Sequence, residues 1–151
     1  MKPLRPPRKV QVVLWRRTDH GPEVLLLRVT AERGAFWQPV TGGCEVGETF
    51  AAAAAREAQE ETGWDGLPPP VDLGFVHRYP IPAEKARRYE PGSAELEERA
   101  FAVACDRHRD PTLDPHEHDA FAWLPVEDAL ARCRFEPNRE AIRLAVAHSS
   151  G

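Results

Sequence analysis

Three glutamates, Glu57, Glu60 and Glu61, stand at spacings that place them on one face of a helix. Side chains three and four positions apart are neighbours on a helix, so these carboxylates converge within an arc of roughly 100°. Like charges this close repel one another unless a cation compensates them, and hard oxygen donors suit Mg²⁺ or Mn²⁺. Glutamate-rich helices are usually only solvated surface, so this spacing alone does not establish a metal site.

The residues before these glutamates extend the pattern. Gly42 and Gly43 open a turn, and Glu48 supplies a fourth carboxylate. Arg56 can pair with an acid and so fix the loop against the helix. A merely solvated helix does not account for a glycine turn, a further acid and an arginine at fixed spacing. We therefore expect the helix and the loop before it to form one functional unit.

The segment resembles the signature of the Nudix hydrolase family at every position that the signature specifies. That signature reads G-x5-E-x7-R-E-U-x-E-E-x-G-U, with U apolar, and its counterparts here are Gly42, Glu48, Arg56, Glu57, Glu60, Glu61 and Gly63. Ala58 and Trp64 occupy apolar positions where a branched aliphatic residue is more usual. The resemblance implies an α/β/α sandwich that hydrolyses a nucleoside diphosphate linked to another group.

The resemblance also implies roles for the residues of the signature. It assigns the divalent metal, Mg²⁺ with Mn²⁺ as a substitute, to Glu57, Glu60 and Glu61, helped by a backbone carbonyl near Thr41 or Gly42. Arg56 and Glu48 would brace the loop, with Glu48 also within reach of a metal or its water. Splitting a diphosphate requires charge neutralisation and an aligned, deprotonated water, which carboxylate-bound metals provide. The base would be a glutamate from a later loop.

Weaker motifs outside the signature resemble the folate-pathway branch of the family, which cleaves dihydroneopterin triphosphate to the monophosphate and pyrophosphate. They follow the same order over most of the chain, at residues 36–42, 88–92, 117–118, 123–124 and 138–142. On this likeness Glu117 is a further metal ligand or the general base, and the alternative is a surface acid. His116 and His118 are interpreted as solvated, because no third zinc-ligand motif accompanies them.

Candidate substrate contacts are aromatic and basic. Tyr89 and either Phe36 or Trp37 can stack on a flat pterin or purine, although core packing accounts for them equally well. The residues predicted to clamp a triphosphate, on charge alone, are Arg28, Arg88 and Arg139. Two alternatives stay open: another Nudix specificity, such as dinucleoside polyphosphates or nucleotide sugars, and a ligand sensor without activity. Sensor domains usually lose a signature carboxylate, and none is missing here.

The elements that must position these residues follow from composition. Thr49 as N-cap and Gly63 as terminator predict a helix between them, with a stripe of small side chains for sheet packing at Ala51, Ala55, Ala58 and Thr62. Strands are predicted over residues 10–17, 23–28, 36–41, 71–77, 99–105 and 120–124, and further helices from 125 and over 137–147. This order predicts one α/β domain, a mixed sheet flanked by helices over residues 10–148, after a flexible basic segment at 1–9.

Bulk properties limit the class of partner. The 151 residues carry a formal charge of −4, so the molecule as a whole has no attraction for a nucleic acid polymer or an anionic membrane. Most of its basic clusters are interpreted as solvated surface. Three cysteines without a C-x-x-C pair indicate a reducing compartment. We expect a cytoplasmic monomer or homodimer, without a membrane segment, that binds a small phosphate anhydride.

Overall fold

A computed structural model describes residues 4–105 and 110–149. Its strands are β1 (Arg8–Thr18), β2 (Gly21–Val29), β3 (Trp37–Gln38), β4 (Val40–Gly43), β5 (Val71–Pro80), β6 (Glu95–Ala104) and β7 (His118–Pro125). Its α-helices are α1 (Phe50–Thr62), α2 (Val126–Arg132) and α3 (Glu136–Ser149), and two short 3₁₀ helices span Ala31–Arg33 and Ala83–Arg88. Within these ranges no helix combines the length and the apolar character needed to cross a membrane.

The sheet is mixed, as predicted. Its central path runs β3-β2-β1-β6-β5, while β4 pairs with β1 and β7 pairs with β2. The β1–β6 pair is parallel, whereas β1 pairs antiparallel with both β2 and β4. The long β1 strand therefore connects the hairpin, the start of the signature loop and the second half of the chain.

Helices cover both faces of this sheet, because side chains alternate along its strands. Val10, Val12 and Leu14 of β1 pack in the same core cluster as Ala53, Ala54 and Ala58 of α1. Val13 points to the opposite face, where it shares a second cluster with residues of α2 and α3, including Ala129, Ala141 and Ile142. The expected α/β/α sandwich is confirmed.

Helix α1 has the predicted ends but a different buried face. The side-chain hydroxyl of Thr49 accepts a hydrogen bond from the Ala52 amide at 3.1 Å. Gly63 ends the helix in the left-handed region, with φ of 73°. The predicted stripe is wrong at Ala51 and Ala55, which are exposed. The buried residues are Ala53, Ala54, Glu57, Ala58, Glu61 and Thr62.

Three boundaries differ from the prediction. The third strand divides into β3 and β4 at Pro39, which has no amide hydrogen for a sheet ladder. The strand predicted over 99–105 begins earlier, since β6 already starts at Glu95. Regular structure also starts before residue 10: Arg5 forms a parallel bridge with Tyr89, and β1 begins at Arg8. Arg5 is thus paired with the segment that precedes β6, and Arg8 and Lys9 pair with β6 itself.

The N-cap of α1 gives a test of this local structure. Thr49→Ala removes the hydroxyl that accepts from the Ala52 amide, so we expect the free energy of unfolding to fall by about 1 kcal/mol in urea denaturation. Thr49→Ser is the matched control, since it keeps the oxygen. If Thr49→Ser lost as much stability as Thr49→Ala, the methyl group of Thr49, and not the capping hydrogen bond, would supply the stability.

Candidate metal and polyphosphate site

The loop before α1 is tied to the helix through one guanidinium group. Nε of Arg56 donates to Oε2 of Glu48 and Nη2 donates to Oε1, both at 2.9 Å. Nη2 also donates to the Gly43 carbonyl at 2.8 Å. Glu48 in turn accepts from the Glu45 amide at 2.9 Å. The hydrogen bonds from Arg56 lower the pKa of Glu48, so this carboxylate stays ionised and the loop stays attached to the helix.

The same arginine contacts two signature glutamates. Nη1 of Arg56 lies 3.0 Å from Oε1 of Glu57 and 3.2 Å from Oε2 of Glu60. Glu60 has 58% of its side chain exposed, whereas Glu57 is 9% exposed. Burial raises the pKa of Glu57 to about 7, against the opposing charge of Arg56. The three helix carboxylates therefore do not share one environment.

Gly42 leaves the space that the Glu57 carboxyl group occupies. A Cβ atom at position 42 would lie 2.1 Å from the carboxyl carbon of Glu57, far inside van der Waals contact. Gly43 is different, because a Cβ there would meet only Nη1 of Arg5, at 3.6 Å. The signature glycine is thus explained by a close approach of helix and loop, not by its own backbone torsions.

Glu61 faces residues from the far end of the chain. Together with Glu117 and His118 it offers ligand atoms that all lie within 4.8 Å of one another, the one such group found in the described part of the chain. Burial, and then the charge of Glu61, raise the pKa of Glu117. Nδ1 of His118 lies 3.0 Å from Oε2 of Glu61, yet neither atom has a hydrogen-bond partner. Buried acceptors without partners are costly, and this donor set suits a divalent cation.

His118 corrects the interpretation of the histidines as solvated. His116 is exposed, but His118 is only 6% exposed, because it begins β7 and pairs in register with Val29 of β2. The sequence signal for this was the strand that follows Glu117 directly, since strand side chains alternate between core and solvent.

A cavity of about 880 Å³ lies beside these residues. Glu61, Glu117 and His118 line it, together with Thr41, Gly42 and Gly43. Six basic side chains line it as well, namely Arg5, Lys9, Arg33, Lys85, Arg87 and Arg88. The cavity therefore combines two carboxylates with six basic side chains, a charge pattern that suits a metal-bound polyphosphate.

The basic residues come from segments far apart in sequence. The Arg5 amide donates to the Arg88 carbonyl at 2.8 Å, and the Glu90 amide donates to the Arg5 carbonyl at 3.0 Å. These bonds bring the N-terminal basic cluster beside the cluster at 85–88. The sequence prediction assigned most of these clusters to solvated surface, and among the six basic residues of the cavity it named only Arg88 as a substrate contact. It therefore missed that the two clusters meet.

The other predicted substrate residues separate into two groups. Tyr89 and Phe36 line the cavity and Trp37 does not, since the Trp37 ring lies under the guanidinium of Arg132, 5.1 Å from its centroid. Two of the arginines that were predicted to bind a triphosphate also lie outside the cavity. Arg28 is paired with Asp119 at 2.7 Å, and Arg139 with Glu136 at 2.7 Å. Neither of these arginines lines the cavity.

Substitution of the two loop glycines tests the packing of Glu57. Gly42→Ala places a methyl group on the Glu57 carboxyl group, so we expect a loss of about 1–3 kcal/mol in the free energy of unfolding. Gly43→Ala is the matched control, because the new methyl group meets only the tip of a flexible side chain. Equal losses in the two variants would contradict the close approach.

Comparison with known proteins agrees with this geometry. The NUDIX domain family matches residues 5–145. Dihydroneopterin triphosphate diphosphatase of Escherichia coli K12 is 34% identical over 118 residues, which span 76% of this chain and 77% of that protein. An octanoyltransferase of Myxococcus xanthus is 43% identical over 129 residues, 84% of this chain but only 34% of that longer protein. The matching region is thus only about a third of the protein that carries the octanoyltransferase name.

A solved structure extends the likeness to the whole fold. The Escherichia coli dihydroneopterin triphosphate pyrophosphohydrolase superposes with a TM-score of 0.78 and 31% sequence identity, covering 97% of this chain and 99% of that one. The family match covers more than half of the chain, and the complete signature lies on the loop and helix described above. The chain therefore belongs to the Nudix family of hydrolases.

Proposed function

We propose that this protein is a Mg²⁺-dependent pyrophosphohydrolase that cleaves dihydroneopterin triphosphate to the monophosphate and pyrophosphate. The observation that carries the proposal is the cavity in which Glu61, Glu117 and His118 meet six basic side chains. The identity of 34% to the Escherichia coli diphosphatase, along most of both chains, supports the pterin substrate.

Three carboxylates are suited to hold the metal. Glu61 and Glu117 supply two, and Glu57 lies one turn before Glu61 on the buried side of α1. Arg56 contacts only Oε1 of Glu57, which leaves Oε2 available. A divalent cation held there would neutralise phosphate charge and activate the attacking water. Glu60 is not assigned to the metal, since it is exposed and paired with Arg56.

The remaining cavity residues bind and orient the substrate. Arg5, Arg87 and Arg88 lie where the N-terminal segment meets residues 88–90, and they would bind the triphosphate chain by charge. Phe36 and Tyr89 line the same cavity and offer aromatic faces for a flat bicyclic base. Polyphosphate and base would thus occupy one continuous cavity, with the scissile linkage near Glu61 and Glu117.

The octanoyltransferase name supports no second function. The three cysteines, which would be candidate nucleophiles for acyl transfer, are all buried: Cys44, Cys105 and Cys133 are 2%, 3% and 4% exposed. A basic cavity with carboxylates also fits a polyanion better than an alkanoyl chain.

Product masses from a substrate panel test the reaction. With Mg²⁺ we expect pyrophosphate and dihydroneopterin monophosphate from the pterin triphosphate, and slower turnover of common nucleoside triphosphates, dinucleoside polyphosphates and nucleotide sugars. Faster turnover of one of these others would overturn the pterin assignment. If no compound were turned over, the proposal of enzymatic activity would be contradicted and a ligand sensor would be favoured.

Two neighbouring glutamates provide a matched pair for that panel. Glu61→Gln should lower kcat by about 100-fold or more, because a metal ligand is worth several kcal/mol to the transition state. Glu60→Gln should change kcat far less, since Glu60 is 58% exposed and contacts Arg56. Equal losses of kcat in the two variants would contradict the different roles assigned to Glu61 and Glu60.

Stabilisation by Mg²⁺ should depend on pH. The folded-state pKa of Glu57 is about 7, above the ordinary value of 4.5, so without metal the stability contributed by this group falls as pH rises between these values. Mg²⁺ needs the ionised carboxylates and competes with the proton, so its effect on Tm should be larger near about pH 8 than near about pH 5.5. Glu57→Gln should remove much of this difference. An equal rise in Tm at both pH values would contradict the assignment of Glu57.

A further inference from the structure

His118 is the one buried histidine at the cavity, and its position is fixed by the backbone around it. Its amide donates to the Asp114 carbonyl at 2.9 Å, and the Glu117 carbonyl accepts from the Thr30 amide at 3.2 Å. The side chain then begins β7 and is 6% exposed. A histidine held this rigidly beside two carboxylates needs a chemical explanation.

The polar contact of His118 is incomplete. Its Nδ1 atom lies 3.0 Å from Oε2 of Glu61, and Glu61 is itself only 8% exposed. The two atoms are within hydrogen-bond distance but form no hydrogen bond, and neither has another partner. If His118 only oriented Glu61, it would donate a hydrogen bond to that carboxylate. The structure instead leaves two buried polar atoms 3.0 Å apart and without a hydrogen bond.

The distance fits two ligands of one cation. Adjacent ligands of an octahedral ion with bonds of about 2.1 Å are separated by about 3.0 Å, and 3.0 Å separates Nδ1 of His118 from Oε2 of Glu61. Glu117 belongs to the same group, since one ligand atom from each of Glu61, Glu117 and His118 lies within 4.8 Å of the other two. The three side chains can therefore supply one nitrogen and two oxygens to the same ion.

We propose that His118 is a nitrogen ligand of the metal centre, and that the site consequently prefers Mn²⁺ to Mg²⁺. This inference rests on the metal site of the proposed function and deepens it by naming a ligand outside the family signature. Imidazole binds transition-metal ions well, while Mg²⁺ favours oxygen ligands and retains water. A nitrogen donor therefore adds affinity for Mn²⁺ and little for Mg²⁺.

Metal titration of the metal-free protein, without substrate, tests the preference. Mn²⁺ binding followed by electron paramagnetic resonance should give a Kd about 10-fold or more below that for Mg²⁺ measured by competition. His118→Gln should weaken Mn²⁺ binding by about 10-fold or more and Mg²⁺ binding much less. His116→Gln, at an exposed position two residues away, is the matched control and should change neither. Equal weakening of both metals in His118→Gln would make His118 a positioning residue and overturn the proposal.

Pulsed electron paramagnetic resonance of the Mn²⁺-loaded wild-type protein gives a direct answer that needs no variant. We expect a nitrogen coupling to the metal, and its frequency should change when the histidines carry ¹⁵N. Absence of this coupling while Mn²⁺ is bound would overturn the proposal. Because neither experiment involves turnover, an inactive protein that shows the coupling would contradict the proposed function and leave this inference standing.

Discussion

The site depends on the hydrogen bonds of Arg56. One guanidinium group holds both oxygens of Glu48 and the Gly43 carbonyl, and it reaches Glu57 and Glu60 with its remaining nitrogen. A planar fork with five donors is the side chain suited to this task, and lysine would not replace it. Without the arginine, the Gly43 carbonyl and the three carboxylates of Glu48, Glu57 and Glu60 would have no common partner. Its position in the signature is therefore a structural requirement for the site.

Arg56 also divides the glutamates by role. Glu48 accepts a bidentate pair and stays ionised, and Glu60 shares Nη1 at an exposed position. Arg56 contacts one of the two oxygens of Glu57, while Glu61 lies beside Glu117 and His118. Glu57 and Glu61 are buried, and the proximity of these carboxylates to each other and to Glu117 is unfavourable until a cation is bound. Across the cavity the excess of basic side chains provides a separate attraction for phosphate, although the whole chain carries a charge of −4.

Local features of the fold were predictable from the sequence, and features that depend on long-range pairing were not. The ends of α1 follow from Thr49 and Gly63, which act within one turn. The prediction of the buried face of α1 was wrong at Ala51 and Ala55, because the close approach of Gly42 to the helix places Glu57 on the buried side. Helical spacing predicted that three glutamates would converge, but it carries no information about which of them Arg56 engages.

The remainder of the site comes from residues that only the sheet brings together. His118 is buried because β7 pairs with β2, and the basic cavity exists because residues 5–7 pair with 88–90 and 97. Arg28 and Arg139 were predicted to bind substrate on charge alone. Each is paired with an acidic side chain outside the cavity. A single-sequence pattern identifies candidates for binding, whereas strand pairing decides which candidates meet.

The central claim is that Arg56 leaves Glu57, Glu61 and Glu117, and not Glu60, to bind the metal. A crystal structure of the Mn²⁺-loaded protein, with anomalous scattering recorded from the manganese, tests it most directly. We expect an anomalous peak at about 2.2 Å from oxygens of Glu61 and Glu117, with Glu57 in the same cluster and Glu60 still paired with Arg56. A peak bound by Glu60, with Glu61 and Glu117 outside the coordination shell, would contradict it.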